Sequence, residues 1–335
     1  MKYTQLGQTS LQVSKLSYGT WQFGGAWGSF QVREAQATIR QALDLGINFF
    51  DTAQAYGFGL AEQVLGQALR PELASQRDRI VLATKGGLRQ SGDQLVRDSS
   101  AGWLRQGVEQ SLRNLGVDTI DLYQVHWPDP HTPFDETASA LQKLTQEGKI
   151  RYVGVSNFDV QQMQEFGKTR KIDTLQPPYH LFRRDIEQGI LPYTQAQEIG
   201  VLAYGPLGHG LLGGGYTPQT MFADNDWRSS SPLFQGGPFR RELAVAERLK
   251  TLAQQHGTTV AQLAIAWVLA NPAVNMAIVG ARHPQQLAQT VPAADIQLSP
   301  EVLRQIQQIM RGALPVGGPT PEATLAGTEP VLEKV

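Results

Sequence analysis

The chain has 335 residues and no cysteine, with 29 Lys plus Arg against 30 Asp plus Glu and a formal net charge of -1. The missing thiols exclude disulfides, a cysteine nucleophile, Fe–S clusters and cysteine-bound zinc, so a metal site would need His and carboxylate ligands only, and we expect none. The balanced charge argues against a nucleic-acid partner or an anionic membrane, because both usually require a basic surface.

Hydrophobic residues make up 41% of the chain, enough to bury one large α/β core or two ordinary ones. The longest apolar stretches, such as 263–270, are well short of the roughly 18 residues that span a bilayer. The first five residues begin no signal peptide, so we expect a cytoplasmic protein with no membrane partner.

Short β-rich runs alternate with longer helical patterns along the chain. The first two runs, 3–5 and 11–13, lie on either side of Gly7 and predict an N-terminal β-hairpin. Eight further runs predict strands at 15–18, 47–50, 79–83, 119–125, 150–154, 174–176, 200–204 and 276–279.

Helical patterns fill the intervals between these strands and follow the last one. They cover 33–45, 60–69, 101–115, 134–147, 159–168, 187–198, 241–255, 259–270, 284–290 and 299–311. In the third pattern, apolar residues recur at spacings of three and four, which marks one face of a helix. These residues are Leu104, Val108, Leu112 and Leu115.

A strand followed by a helix, repeated eight times, predicts an α/β fold of the (β/α)8 TIM-barrel type. A doubly wound sheet is the alternative, but residues 19–25 after the first barrel strand lack the glycine fingerprint of that fold. We expect one domain over residues 1–335, with a long loop at 205–240 after strand 7 and an irregular C-terminal tail from Leu314.

Polar residues follow the predicted barrel strands at the end where a barrel carries its active site. Taken singly, Asp51 could cap the next segment, Tyr56 could belong to a turn, and His126 could be a satisfied core histidine. Lys85 directly after an apolar strand would need an anionic partner, which Asp51 could supply. In chain order the polar residues are Asp51, Tyr56, Thr84, Lys85, His126, Ser156, Asn157, Gln176, Tyr204 and Arg282.

An acid, an amine, a phenol and an imidazole at one barrel end have a clear chemical use. A free tyrosine titrates near about 10, so it is a poor proton donor at neutral pH unless a nearby cation favours its anion. Lys85 could supply that charge, Asp51 could hold Lys85, and His126 could hydrogen-bond a carbonyl oxygen or the phenol. Tyr56 would then be a general acid for an oxygen that becomes negative as its carbon accepts hydride.

Several spaced motifs, in this order, resemble the signature of the aldo-keto reductases, most closely bacterial members of the general-stress type. They are GTW at 19–21, DTAQAYG at 51–57 with Glu62, then Lys85, QVHWP at 124–128, GVSNF at 154–158 and GAR at 280–282. The resemblance covers nearly the whole chain and implies NADPH-dependent reduction of a small-molecule aldehyde or ketone, with Tyr56 as the proton donor and Asp51, Lys85 and His126 completing the catalytic set.

The resemblance also implies where a nicotinamide cofactor would bind across the barrel mouth. Ser156, Asn157 and Gln176 would hydrogen-bond the carboxamide, and Tyr204 would stack on the ring. A loop beginning at Gly205, Pro206, Leu207 and Gly208 would cover the pyrophosphate. Gly280, Arg282, Gln286 and Thr290 would meet the adenosine end, and Thr20, Trp21 and Asp51 would also contact the cofactor.

Departures from the family pattern bear on the choice between NADPH and NADH. Many members have Ser at the position of Gly205, Lys-Ser near 280–281, Arg at Gln286 and Asn at Thr290. Arg282 is then the main cation for a 2′-phosphate, which favours NADPH and leaves NADH possible.

Four aromatic residues are candidates for the substrate pocket, although aromatic residues in such loops often serve only as anchors. If they line it, the pocket favours small aromatic or aliphatic carbonyl compounds. They are Trp21, Trp27, Phe58 and Trp127.

Other functions are less consistent with the sequence. A Rossmann reading of G-x-G-x-x-G at 208–213 needs a helix there, which the following glycines and Pro218 disfavour. The alternative function is a nicotinamide-nucleotide-binding regulatory subunit resembling potassium-channel β subunits, and a metal-dependent hydrolase lacks a clustered ligand set. The oligomeric state is left open, with a monomer slightly favoured.

Overall fold

The computed structural model describes residues 1–92, 94–314 and 316. Within them it contains twelve strands: β1 (Tyr3–Gln5), β2 (Gln12–Ser14), β3 (Leu16–Gly19), β4 (Phe49–Asp51), β5 (Val81–Gly86), β6 (Leu88–Ser91), β7 (Gln94–Arg97), β8 (Ile120–Val125), β9 (Ile150–Ser156), β10 (Thr174–Gln176), β11 (Gly200–Tyr204) and β12 (Met276–Val279).

Ten α-helices lie in the same part of the chain: α1 (Val32–Asp44), α2 (Leu60–Ser75), α3 (Ala101–Leu115), α4 (Phe134–Gln146), α5 (Val160–Gly167), α6 (Ile190–Ala196), α7 (Gly236–Gln255), α8 (Val260–Leu269), α9 (Pro284–Thr290) and α10 (Pro300–Met310).

Eight parallel strands close a barrel in the order β10, β11, β12, β3, β4, β5, β8, β9. Their residues are mostly apolar and almost continuously buried, as expected for strands that face a barrel interior on one side and helices on the other. The (β/α)8 prediction is therefore confirmed. Because every strand is parallel, all eight carboxyl ends meet at one mouth of the barrel.

The N-terminal hairpin closes the opposite end of the barrel. β1 and β2 pair antiparallel, and three apolar side chains around them pack against residues of the barrel interior. These are Leu6, Leu11 and Val13, which meet a layer that includes Phe49 and Met276. The hairpin therefore excludes water from that end and leaves the carboxyl-end mouth as the open one.

The remaining core lies between the barrel and its helices. The face predicted for α3 is confirmed in part, since Leu104, Val108 and Leu115 are buried and Leu112 is half-buried. Ser100 caps the start of this helix by accepting from Trp103 N, and Gly116 ends it with a left-handed φ of 69°.

Two predicted helix limits were wrong because of proline. α2 continues through Pro71 to Ser75, since proline already has a helical φ and the helix forgoes one N–H hydrogen bond there. α7 begins at Gly236, inside the predicted loop 205–240, because Pro238 falls in the first turn, where an N–H has no intrahelical partner.

Three further differences concern short segments. The second hairpin strand is Gln12–Ser14, one residue later than predicted, and the hairpin of β6 with β7 was not predicted at all. The predicted helix at 187–198 divides into a 3₁₀ turn at Asp185–Gln188 and α6. The predicted irregular tail from Leu314 lies outside the described residues except for Leu314 and Val316.

Among the helices described, none combines the length and apolar character needed to cross a membrane.

Candidate active site

Asp51 and Lys85 stand at the mouth ends of the neighbouring strands β4 and β5. Lys85 is 1% exposed, and its ammonium donates to Asp51 Oδ2 at 2.7 Å and to Thr52 O at 2.9 Å. Removing one partner would leave the other charge buried without compensation, so the two side chains stabilise each other in this position.

Tyr56 lies beyond β4 with its hydroxyl 3.4 Å from Lys85 Nζ, and the ammonium lies 5.0 Å from the centre of its ring. Three consecutive residues after it, Gly57, Phe58 and Gly59, have φ values of 60°, 50° and 97°. Such a left-handed run reverses the chain sharply before α2 and suits glycine at two of its three positions. The turn thereby brings the phenol back over Lys85.

His126 immediately follows β8 and is 4% exposed. Its ring meets the ring of Tyr56 edge to face at 5.7 Å. Burial, together with the nearby charge of Lys85, lowers the pKa of His126 well below its usual value, so the imidazole is neutral at physiological pH. Among the described residues its Nδ1 has no hydrogen-bond partner.

A chain of side-chain hydrogen bonds joins the next three strand ends to this group. Gln176 Nε2 donates to the second oxygen of Asp51 at 2.9 Å, and Ser156 Oγ donates to Gln176 O at 2.8 Å. Asn157 Nδ2 donates to Ser156 Oγ at 3.0 Å, while its Oδ1 accepts from the Tyr204 hydroxyl at 2.9 Å. The polar ends of β4, β9, β10 and β11 thus form one network.

An elongated cavity of about 440 Å³ opens over this network. It runs from Tyr56 along the loop after β11 to the start of α9. The predicted site residues that line it are Trp21, Trp27, Asp51, Tyr56, Gln176, Tyr204, Gly205, Pro206, Leu207, Gly280, Arg282, Gln286 and Thr290.

Other predicted cofactor and catalytic residues lie just behind the lining. Lys85 and His126 are buried beneath Tyr56, and Ser156 with Asn157 lies beneath Tyr204. Thr20 is buried and donates to Asp51 O at 3.2 Å, while Gly208 packs against His180.

Two of the predicted pocket aromatics lie outside the cavity. The left-handed turn directs Phe58 outward, where it is 38% exposed. Trp127 is buried, but its ring packs against the guanidinium of Arg97 at 5.3 Å rather than against Trp21 or Trp27. The cavity is thus lined by Trp21 and Trp27 but not by Phe58 or Trp127, because a strand-end position does not fix where a loop side chain points.

Arg228, which was not predicted as a site residue, lines the cavity from the long loop. Its guanidinium lies 4.5 Å from the ring centres of both Trp27 and Phe222, and it pairs with Asp226 and the hydroxyl of Tyr216. An arginine in a long glycine-rich loop was a signal for a site residue, but its neighbours come from a distant part of the chain.

Trp227 was missed as well. Its backbone N–H donates to Ala26 O at 3.0 Å, and its ring stacks on Trp21 at 6.1 Å and meets the ring of Trp27 edge to face at 5.7 Å. His209, at φ 57°, completes this aromatic cluster. Trp21, Trp27 and His209 of this cluster line the cavity, and Trp21 lies beside Tyr56.

Arg282 stands at the far end of the cavity. One guanidinium nitrogen donates to Ser29 O, and its backbone N–H donates to Gln286 Oε1 at 2.9 Å. Thr290 uses its hydroxyl within α9, donating to Leu287 O at 3.0 Å. Arg282 therefore keeps part of its donor capacity for a ligand, while the Gln286 carbonyl is already engaged.

The donor set fits a nicotinamide dinucleotide. Amide and hydroxyl groups of Asn157, Gln176 and Ser156 lie beneath the end of the cavity next to Tyr56, and two arginines line the cavity farther on. The loop between them has positive φ at four glycines, Gly205, Gly208, Gly210 and Gly214. Because glycine has no side chain, a phosphate could approach the backbone N–H groups at these positions.

A closed (β/α)8 barrel with this mouth is the scaffold of an NAD(P)H-dependent oxidoreductase. The chain belongs to the aldo/keto reductase family, whose sequence profile matches residues 15–311.

Similar proteins cover almost the whole chain. The aldo-keto reductase YhdN of Bacillus subtilis is 40% identical over 95% of this chain and 96% of its own length. A NADH-specific methylglyoxal reductase of Escherichia coli is 34% identical over 89% of this chain and 95% of its own. A probable voltage-gated potassium channel subunit beta of Oryza sativa is 33% identical over 93% and 97%.

The fold has a close match among solved structures. The glycerol dehydrogenase from Gluconobacter oxydans superposes with a TM-score of 0.85 and is 40% identical, over 95% of this chain and 98% of that one. The family assignment and the oxidoreductase class are thus confirmed.

Proposed function

We propose that the protein is an NADPH-dependent reductase of small aldehydes or ketones in which Tyr56 donates the proton. One observation carries this proposal: the buried chain from Asp51 to Lys85 to the Tyr56 hydroxyl ends in the elongated cavity. The chemistry follows from that order of groups, because Asp51 holds Lys85 and Lys85 in turn acidifies Tyr56.

Lys85 favours the anionic form of Tyr56, since a cation 3.4 Å from a phenol oxygen stabilises phenolate. A phenol whose anion is stabilised is a stronger acid, so Tyr56 can transfer its proton to a carbonyl oxygen near neutral pH. Asp51 holds Lys85 in place and keeps its charge balanced in a buried site. When bound, the nicotinamide cofactor supplies the hydride to the carbonyl carbon.

His126 acts as a neutral imidazole beside Tyr56. Its low pKa prevents it from competing as a second cation, and a neutral ring can donate one N–H to the carbonyl oxygen. The donated hydrogen bond strengthens as negative charge develops on that oxygen, which is where a donor accelerates the reaction.

The preference for NADPH is proposed from Arg282 at the far end of the cavity. A guanidinium there can pair with a 2′-phosphate by charge-assisted hydrogen bonds that the hydroxyl of NADH does not replace. Arg228, missed from the sequence, is a second cation of the same cavity, but its guanidinium is already paired with Asp226. Because the E. coli relative is named as NADH-specific, the affinities of this protein for NADPH and NADH need to be compared directly.

The substrate is proposed to be a small apolar carbonyl compound. Trp21 and Trp27 line the cavity beside Tyr56, and Trp227 supports both rings from behind. Aromatic side chains favour apolar groups of a substrate and cannot pair with the charges of a highly charged one.

The test is NADPH oxidation with 4-nitrobenzaldehyde and methylglyoxal, comparing the wild type with Tyr56→Phe. NADPH binding is measured in parallel by quenching of tryptophan fluorescence. We expect the substitution to lower kcat by about 10²- to 10⁴-fold and to leave NADPH binding nearly unchanged, because it removes only the proton donor.

Two outcomes would contradict this proposal in different ways. Equal turnover by Tyr56→Phe would remove the assigned role of Tyr56. Tight NADPH binding with no turnover of any carbonyl compound would favour a nucleotide-binding regulatory subunit, an alternative that the similarity to a potassium channel subunit keeps in view.

A further inference from the structure

Glu62 is a fully buried carboxylate that the proposed chemistry does not use. It lies in the first turn of α2, close behind the turn that carries Tyr56. Its Oε1 accepts from the Thr84 hydroxyl at 2.7 Å, and its Oε2 accepts from Asn114 Nδ2 at 2.8 Å. A buried carboxylate with donors from two other elements is costly unless those bonds are kept.

The bond to Thr84 reaches the strand that carries Lys85. Successive side chains of a strand point to opposite faces, so Thr84 points out of the barrel toward α2 while Lys85 points into the mouth. Both side chains are completely buried. Anchoring Thr84 from outside therefore fixes the height and tilt of the strand end from which Lys85 projects.

The bond to Asn114 reaches the turn that carries Tyr56. The Asn114 amide lies so close to Gly59 that a Cβ at this position would overlap it, and Gly59 is the last left-handed residue before α2. Asn114 Oδ1 accepts from Gln110 Nε2 at 2.9 Å, which orients the amide nitrogen toward Glu62. The turn is thus held by α3 through the same carboxylate.

We propose that Glu62 is a positioning residue that sets the distance between Lys85 and Tyr56 by joining their two segments through Thr84 and Asn114. The inference rests on the proposed function, in which that distance controls the acidity of Tyr56. Glu62 touches neither reacting group, so its effect passes entirely through the two segments.

Charged and titratable side chains surround both Tyr56 and Glu62 in the part of the chain that the structure describes. Tyr56 is faced by Lys85 from β5, by Asp51 from β4 and by His126 after β8. The carboxyl of Glu62 has its pKa raised by burial, an effect opposed by the hydrogen bonds of Asn114 and Thr84 and by the charge of Lys85. Beside it, burial and the charge of Glu62 raise the pKa of Tyr123.

The experiment measures the pH midpoint at which Tyr56 ionises. The ultraviolet absorbance of ionised tyrosine is titrated for each variant and for the same variant carrying Tyr56→Phe, and the difference belongs to Tyr56. Thr84→Val removes the hydroxyl at nearly constant volume. Glu62→Gln replaces one of the two carboxylate oxygens that accept from Thr84 and Asn114 with an amide nitrogen. Both are expected to move the midpoint up by about one pH unit, the effect of drawing two charges apart by ~1.5 Å at an effective dielectric constant of about 20.

Turnover gives a second readout. With 4-nitrobenzaldehyde both variants are expected to lose roughly tenfold in kcat with KM nearly unchanged, since a weaker acid slows proton transfer without altering the cavity. Thr84→Ser, which keeps the hydroxyl, is expected to retain the wild-type midpoint and kcat. Asn114→Ala, at a half-buried helical position, tests the other arm if Thr84→Val does not fold.

Matched controls come from the outer layer of the barrel. Glu242 is also fully buried and accepts a hydrogen bond, from Leu314 N at 2.7 Å, and burial raises its pKa as well. Thr194 is a fully buried threonine whose hydroxyl donates to Leu191 O at 3.0 Å. Glu242→Gln and Thr194→Val are expected to change stability and leave the Tyr56 midpoint unchanged.

An unchanged midpoint in folded Thr84→Val and Asn114→Ala would overturn the inference. So would a lower midpoint in Glu62→Gln with no change in Thr84→Val, since Glu62 would then act by its charge on Lys85. A wild type that reduces no carbonyl compound would contradict the proposed function alone, because the midpoints are measured without turnover.

Discussion

The catalytic group and the wall of the cavity are built in two different ways. Asp51 and Lys85 project from neighbouring paired strands of the barrel, which places Lys85 Nζ 2.7 Å from Asp51 Oδ2. The wall comes from the loop after β11, which is tied to a loop after β3 by a bridge between Trp27 and Asp226 and by the hydrogen bond from Trp227 N to Ala26 O. We infer that the strand-end residues determine the rate of the chemical step and that the loop residues determine which ligands bind.

This division predicts that substitutions in the two regions change different kinetic quantities. Changes at the strand ends should lower kcat and leave binding largely intact. Changes in the loops should alter dissociation constants or KM with smaller changes in kcat.

Lys85→Met should give the largest effect. It removes the cation that acidifies Tyr56 and leaves Asp51 buried without its partner, so we expect kcat to fall by about 10²- to 10⁴-fold. NADPH binding should change less than tenfold in samples that circular dichroism shows to be folded. A kcat within tenfold of the wild type would mean that the strand-end group does not control the reaction.

Arg282→Ala should give the next largest effect, confined to binding. Loss of a charge-assisted contact should weaken NADPH by about 10- to 100-fold and NADH by less than about threefold. Dissociation constants from fluorescence titration of both cofactors check this. Equal losses would remove the assignment of a 2′-phosphate to Arg282.

Trp227→Ala should raise KM for 4-nitrobenzaldehyde by roughly tenfold, because two ring contacts that hold Trp21 and Trp27 disappear. Phe58→Ala is the control, since the Phe58 ring is exposed outside the cavity, and both kinetic constants should stay within about twofold. A larger effect at Phe58 than at Trp227 would place the substrate elsewhere.

The last effect concerns stability in acid and not catalysis or binding. Burial, followed by the charges of Arg228 and Arg183, lowers the pKa of His209 to about 3. The unfolded chain then binds a proton below about pH 6.5 that the folded chain does not bind, so the free energy of unfolding falls as the pH falls from there toward 3.

His209→Gln should therefore lose less stability between pH 6.5 and 4 than the wild type, by about 1 kcal/mol per pH unit near the lower limit. Exposed His256→Gln serves as the control. Urea unfolding at several pH values measures both. Parallel loss of stability in wild type and His209→Gln would show that this loop histidine does not stay uncharged in the folded chain.

The same division explains how far the sequence could be used. The strand ends were predictable because closure of a parallel barrel brings them to one mouth, whatever the details of the loops. Asp51, Lys85 and Gln176 are joined by hydrogen bonds in the structure, although the sequence separates the first and last by 125 positions.

The loop contacts were not predictable from local patterns. Phe58 was expected in the pocket, but its direction depends on a left-handed turn whose two glycines do not specify it alone. Trp227 and Arg228 meet the site through contacts with Trp21 and Trp27, some 200 residues earlier. Periodicity detects neighbours along one element and carries no information about such pairs.

The most direct test of the central claim is a single-turnover measurement of NADPH oxidation by 4-nitrobenzaldehyde, with both reactants saturating, in wild type and Tyr56→Phe. Our account predicts a rate at least about 100-fold lower in the variant, with the same NADPH dissociation constant. Equal single-turnover rates would contradict it, because the phenol of Tyr56 would then not take part in the chemical step.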